Sequence, residues 1–180
     1  MSTYNIVAST EGSTVVAEYV SAYESGYKRS DAYQSEAELE CEFIRLLSEQ
    51  GYEYLTIHDE KALINNLRHQ LELINDYIFS DSEWEQFFTN CIANKNEGIV
   101  EKTRKIQTDH VQILHRDNGS TKNIYLIDKK HIHNNRLQVI NQYQEDQGNH
   151  DTRYDVTILV NGLPLVHVEL KRRGVAIREA

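Results

Sequence analysis

Residues 153–173, RYDVTILVNGLPLVHVELKRR, carry the groups best suited to chemistry. They read as two apolar strands joined by a turn, with Asp155 near the start and Glu169 and Lys171 near the end. An unpaired ion in an apolar setting is costly, so three charged groups on one buried hairpin suggest a site. Two carboxylates and an ammonium make up the donor set of metal-dependent phosphodiester hydrolysis. Hard carboxylate oxygens hold Mg2+, and the ammonium stabilises or orients the attacking water beside the phosphate.

Strand periodicity tests that grouping. Residues two apart share a face, so Glu169 and Lys171 project together whatever the turn does. Asp155 joins them only if paired positions sum to an even number. A two-residue turn at Asn161-Gly162 pairs Val160 with Leu163, an odd sum that turns Asp155 to the reverse face. A three-residue loop with Gly162 left-handed and a bulge pairs Leu159 with Leu163 and brings all three groups together. Pro164 lacks an N–H and is a second source of irregularity. The hydrolytic reading therefore requires an odd-length loop or a bulge. In the plainer reading Asp155 caps a strand entry, while Glu169 and Lys171 form a solvated edge pair. VTILV and LPLVHVEL weigh against it, because strands apolar on both faces are usually central in a sheet.

The totals bound the answer. A chain of 180 residues suits one domain with a real core, and 39% hydrophobic with 26% charged residues is an ordinary globular balance. The net charge of −9 excludes a general nucleic-acid-coating protein and leaves room for local basic groups such as Lys171-Arg172-Arg173. Cys41 and Cys91 have no CxxC spacing, which favours free thiols in a reducing compartment over a single disulfide. No basic-then-apolar leader and no membrane-length apolar run occur, so the expected location is the cytoplasm, with no membrane partner.

The elements that must position the hairpin follow in order. Residues 1–34 read as an irregular arm with a short strand near Thr14–Tyr19. Ser35 with Glu38 has capping-box spacing and opens a helix to about Gln50, striped by Leu39, Phe43, Leu46 and Leu47. Its acids Glu36, Glu40 and Glu42 read as a solvated face, with Glu40 reaching a metal on the hairpin as the sharper alternative. Residues 52–58 read as a short strand, Lys61–Tyr77 as an amphipathic helix, and Glu83–Ile92 as a third helix carrying Trp84, Phe87 and Phe88. Lys102, Arg104 and Lys105 within Ile99–Gln107 are an exposed basic stretch or a phosphate contact. HVQILHR and NIYLID flank an Asn118-Gly119 hairpin signal, and LQVINQY is a further strand. HIH at 131–133 puts His131 and His133 on one strand face without a ligating acid or cysteine, a weak zinc signal. Asp128 is a rival acid. Asp146–Asp151 reads as a polar loop, and VAIREA after Gly174 as a helix that has only begun, so the sheet looks like part of a larger domain, truncated at its C-terminus.

These residues resemble a known family. RYDVTILVNGLPLVHVELKRRGVAIREA closely resembles the nuclease region of the restriction (R) subunit of type I restriction–modification enzymes, as do YQSEAELECEFI, NKNEGIVEKTRKIQ and NIYLIDKKHIHNNRLQVINQY. The likeness covers roughly residues 33–180, with the blocks in the right order. It implies an α/β, restriction-endonuclease-like (PD-(D/E)xK) fold: a mixed β-sheet flanked by helices, over a nuclease domain at 35–180 behind an arm at 1–34. It implies Asp155, Glu169 and Lys171 as the catalytic triad, with Asp155, Glu169 and the Leu170 carbonyl as candidate metal ligands. Glu40 matches an accessory acid on the first core helix, and Tyr154 stands where the superfamily name has proline. The family's Gln/Tyr motif, its two ATP-driven motor domains and its helical assembly domain do not occur in these 180 residues.

Two functions follow. The first is an Mg2+-dependent endonuclease cutting double-stranded DNA without base specificity, with Arg172 or Arg173 on backbone phosphate. The resemblance implies that the intact subunit couples this to ATP-driven translocation while docked on methylase and specificity subunits. The second is a non-catalytic docking module, presenting an acidic helical face with Trp84 and Phe87 to that core.

Overall fold

Ser35 begins a helix by the chemistry its spacing predicts. Its hydroxyl accepts from the Glu38 N–H at 3.2 Å, and the Glu38 carboxylate accepts from the Ser35 N–H at 2.8 Å. Two donors that the helix itself cannot satisfy are thereby paired. The helix, α1, spans Glu36–Glu49. The structure, a computed structural model, describes residues 3–9, 15–20, 35–145 and 152–171, the side chains of 3–9, 15–20, 144–145 and 152–153 excepted.

The chain divides into Met1–Tyr33 and Gln34–Ala180. In the first unit β1 (Thr3–Ser9) pairs antiparallel with β2 (Val15–Val20), with an irregularity between Ile6 and Ala8. The sequence reading finds only the second of these strands. The period-two spacing of Tyr4, Ile6 and Ala8 is the signal for the first.

In the second unit, β3 (Glu53–Tyr54) is shorter than the predicted strand at 52–58. Next come α2 (Glu60–Asn75), capped by Asp59, and α3 (Asp81–Phe87), capped by a Ser80–Glu83 box. A π-helical turn over Phe88–Ile92 continues α3, so the predicted third helix is two segments. α4 (Ile99–Gln107) precedes the antiparallel hairpin of β4 (Val111–His115) and β5 (Thr121–Tyr125). Gly119 takes φ +82° in that turn, as the Asn-Gly signal requires. HIH forms part of a 3-10 turn, Ile132–Asn134, and not a strand; the histidines therefore share no strand face.

The main sheet contains β6 (Leu137–Glu145), β7 (Thr152–Val160) and β8 (Leu163–Val168), in the order β3-β6-β7-β8. β3 runs parallel to β6 and the other neighbours are antiparallel, so the sheet is mixed. Helices cover both faces, which gives the α/β arrangement expected. Phe43, Ile44 and Leu47 of α1 pack on Val139 and Val156, while Ala62 and Leu63 of α2 pack with Ile140 and Leu159. Ile44 takes the place the stripe assigns to Leu46, which is 42% exposed. A third cluster joins Leu67 and Leu71 to Phe79, Trp84, Phe87, Leu114 and Ile124.

Candidate active site at the end of the hairpin

The β7–β8 turn is held before any charge is considered. Asn161 and Gly162 take φ +50° and +80°, the pair of positive values that a type I′ turn needs. Asn161 is buried; its amide donates to the Leu126 carbonyl at 3.0 Å and to Asn135 Oδ1 at 2.8 Å, and its Oδ1 accepts from the Arg136 N–H at 2.8 Å. A Cβ on Gly162 would lie 2.6 Å from the Leu67 Cα, so the turn sits against the α2 backbone where only glycine fits.

That two-residue turn pairs Val160 with Leu163 and Leu159 with Pro164. By itself it would put Asp155 on the wrong face. The register then shifts: Ile158 pairs with Val166, Thr157 with His167 and Val156 with Val168, which leaves Leu165 as an extra residue directly after Pro164. The last pair of this ladder, Val156 with Val168, leaves Asp155 and Glu169 as the next residues along the two chains. The irregularity required on paper is therefore a bulge at the proline and not a longer loop. Pro164, with no N–H to give the ladder, sits where the pairing breaks.

Beyond the bulge each charged group has its own partner. Asp155 Oδ2 accepts from the Leu170 N–H at 2.7 Å, and Lys171 Nζ donates to Glu169 Oε1 at 2.6 Å. The Glu169 contact holds the Lys171 ammonium above the ordinary lysine range, and the nearby charges of Glu36 and Asp155 add to it. Glu40 arrives from α1. Its Oε1 accepts from Asn141 Nδ2 at 2.5 Å and its Oε2 from Gln142 Nε2, both on β6. The Tyr54 hydroxyl in turn donates to Asn141 Oδ1 at 2.8 Å. Sequence reasoning overlooked Tyr54, Asn141 and Gln142, and read Glu36 only as part of a solvated acidic face. The polar pair in the middle of LQVINQY, otherwise an apolar strand pattern, was the available signal. Arg172, Arg173, the Asp146–Asp151 loop and VAIREA lie outside the described residues.

Chemically, two carboxylates supply hard oxygen donors and a neighbouring ammonium supplies positive charge. Among the described residues no three His, Cys, Asp or Glu side chains gather closely enough to hold a metal ion alone. The donor set fits an ion that shares its coordination with water and substrate oxygens, as Mg2+ does at phosphoryl sites.

The rival features take structural places. Asp128 accepts from the Lys130 and His131 N–H groups and from Asn134 Nδ2, each at 2.9 Å, and these donors hold its carboxyl below the usual range. It caps a loop. Lys105 Nζ donates to the Cys91 carbonyl and to Glu97 Oε2, both at 2.6 Å, so it is not a free phosphate contact. Trp84 and Phe87 are 8% and 2% exposed and belong to the core, not to a docking face. Cys41 and Cys91 are both free thiols, Cys41 exposed and Cys91 half-buried.

The family model described as "Type I restriction enzyme R protein N terminus" matches residues 33–180. The type I restriction enzyme EcoprrI endonuclease subunit of Escherichia coli is 50% identical over 159 residues, covering 88% of this chain and 50% of the relative. A type I restriction enzyme endonuclease subunit of Staphylococcus saprophyticus is 40% identical over 153 residues, 82% of this chain and 16% of its own length. One from Staphylococcus aureus strain MSSA476 is 42% identical over 154 residues, 83% and 16% respectively. The chain thus spans half or less of the curated relatives it matches.

Proposed function

The chain belongs to the family of type I restriction enzyme R protein N termini, and from that premise we propose that it is the endonuclease region of such a subunit, hydrolysing duplex DNA phosphodiesters with Mg2+. The observation that carries the reading is the bulge after Pro164, which pairs Val156 with Val168, next to Asp155 and Glu169 respectively, together with the Leu170 N–H bond to Asp155 Oδ2. The relatives are named endonuclease subunits of type I restriction enzymes, which agrees with that chemistry.

In this reading Asp155 and Glu169 hold the ion, with the Leu170 carbonyl as a third donor. Bound there, Mg2+ supplies Lewis acidity toward the phosphate and a more acidic water. Lys171, kept protonated by Glu169, orients that water as a cation and not as a base. The water oxygen forms a new bond to phosphorus as the bond to the leaving sugar oxygen breaks; the proton the water gives up passes to a phosphate oxygen or to solvent, and the leaving oxygen takes one from solvent. Arg172 and Arg173 are assigned to the DNA backbone and Glu40 to an accessory role.

For the intact subunit we propose coupling to ATP-driven translocation and docking on the methylase and specificity subunits, in the cytoplasm. No helix among the described residues is long and apolar enough to cross a membrane. A docking-only module gains nothing from Trp84 and Phe87, which are buried. Lys171→Ala in the intact subunit should abolish DNA cleavage and leave ATP hydrolysis and complex assembly unchanged. Lost assembly with cleavage retained would replace the nuclease reading by the docking one.

A further inference from the structure

Gln142 holds φ at +54°, in the left-handed region that a residue with a Cβ enters only against steric cost. It does so at one particular step of the sheet. The ladder pairs Asn141 with Val156 and Tyr143 with Tyr154 and makes no pair between Gln142 and Asp155, which lie between them. The two strands turn over at this step. Val139 and Val156 pack toward α1, whereas Tyr143 and Tyr154 pack with Ile140 and Leu159 toward α2. Unbroken alternation would keep position 143 with 139 and position 154 with 156.

A glycine would adopt this backbone without strain. What the glutamine adds is its amide, and that amide donates to Glu40 Oε2. Asn141 takes the other carboxylate oxygen and is itself held by the Tyr54 hydroxyl. Each oxygen of a carboxylate keeps a further lone pair after one such bond. Glu40 is therefore oriented from β6 and still able to accept.

We propose that Gln142 is a positioning residue of the hydrolytic site: its left-handed backbone, opposite Asp155, aims an amide that holds Glu40 ready to accept hydrogen bonds from water around a divalent cation. The assignment rests on the nuclease reading above. Outer partners of this kind orient what surrounds an ion, and losing one typically weakens metal affinity about 10–100-fold.

The test is Mn2+ titration of this chain by calorimetry, with thermal melting of the same samples. Gln142→Gly removes the amide and relieves the backbone, so Mn2+ binding should weaken about tenfold or more while Tm stays level or rises. Gln142→Ala should weaken binding equally and also lower Tm, because the strain remains. Glu40→Gln should weaken binding too, and adding Gln142→Gly to it should cost little more. If Gln142→Gly binds like wild type while Asp155→Ala does not, the positioning role is wrong. If Gln142→Gly loses Tm together with affinity, its role is structural and the assignment fails. Wild type showing no Asp155-dependent uptake would overturn the nuclease reading itself, and this assignment with it.

Discussion

Lys171 and Glu83 are opposite cases of one rule at the scale of the residue. The bond to Glu169 raises the pKa of Lys171. Its contribution to stability is thus present below the ordinary lysine value and lost only as pH rises through the raised one, so it stays cationic across the working range. Glu83 is lowered, first by the Tyr77 hydroxyl at 2.7 Å and then by the Asp117 and Ser80 N–H groups. Its contribution is present above the ordinary value of 4.5 and lost as pH falls through the depressed one. Glu83→Gln should therefore cost about 1–2 kcal/mol near neutral pH, and the gap from wild type should close as pH falls below the ordinary value of 4.5 and through the depressed one. Urea midpoints across that range measure it; a gap independent of pH would show that the charge contributes nothing. Asp155, Glu169 and Lys171 stood out as candidates because charges on an apolar hairpin are conspicuous. Asn141 and Gln142 were not, since an amide has no charge and its importance depends on what it meets.

At the scale of the element, the β7–β8 hairpin is organised by its turn. Gly162→Ala would force a Cβ into the Leu67 backbone 2.6 Å away, at φ +80°. The expected loss is about 2 kcal/mol or more, read as a lower urea midpoint. A loss within ~0.5 kcal/mol, the range of an ordinary surface change, would mean that the turn does not sit against α2. The Asn161-Gly162 signal was visible in the sequence, as was the box at Ser35, because each is set by neighbours within a few residues. The strand length at 52–58 and the break after Phe87 were not. Both depend on where a neighbouring element stops supplying partners.

At the scale of the whole molecule, an aromatic cluster ties α2, α3 and the β4–β5 hairpin together. Phe79 is 2% exposed and meets Tyr77 and Trp84 at 5.4 Å and Phe87 at 5.7 Å between ring centres. Phe79→Ala should cost about 3–5 kcal/mol through lost burial and a residual cavity. Trp84, the single tryptophan of the chain, reports unfolding by its emission. A cost under ~1 kcal/mol would mean that this cluster is not a continuous core.

The sequence by itself determined the first helix start, the hairpin turns and the mixed α/β class, and singled out the charged trio as candidates. These follow from capping chemistry, left-handed turn residues and apolar periodicity, all local. Only the tertiary structure decided what each member meets: Asp155 the Leu170 N–H, and Glu169 and Lys171 each other. Strand parity hangs on a single extra residue, Leu165, whose presence in the ladder depends on how Pro164 and the buried turn are seated. Only the fold could also bring Glu40 to the amide of Asn141, 101 positions away. Contacts of that reach are set by packing, which no local pattern encodes.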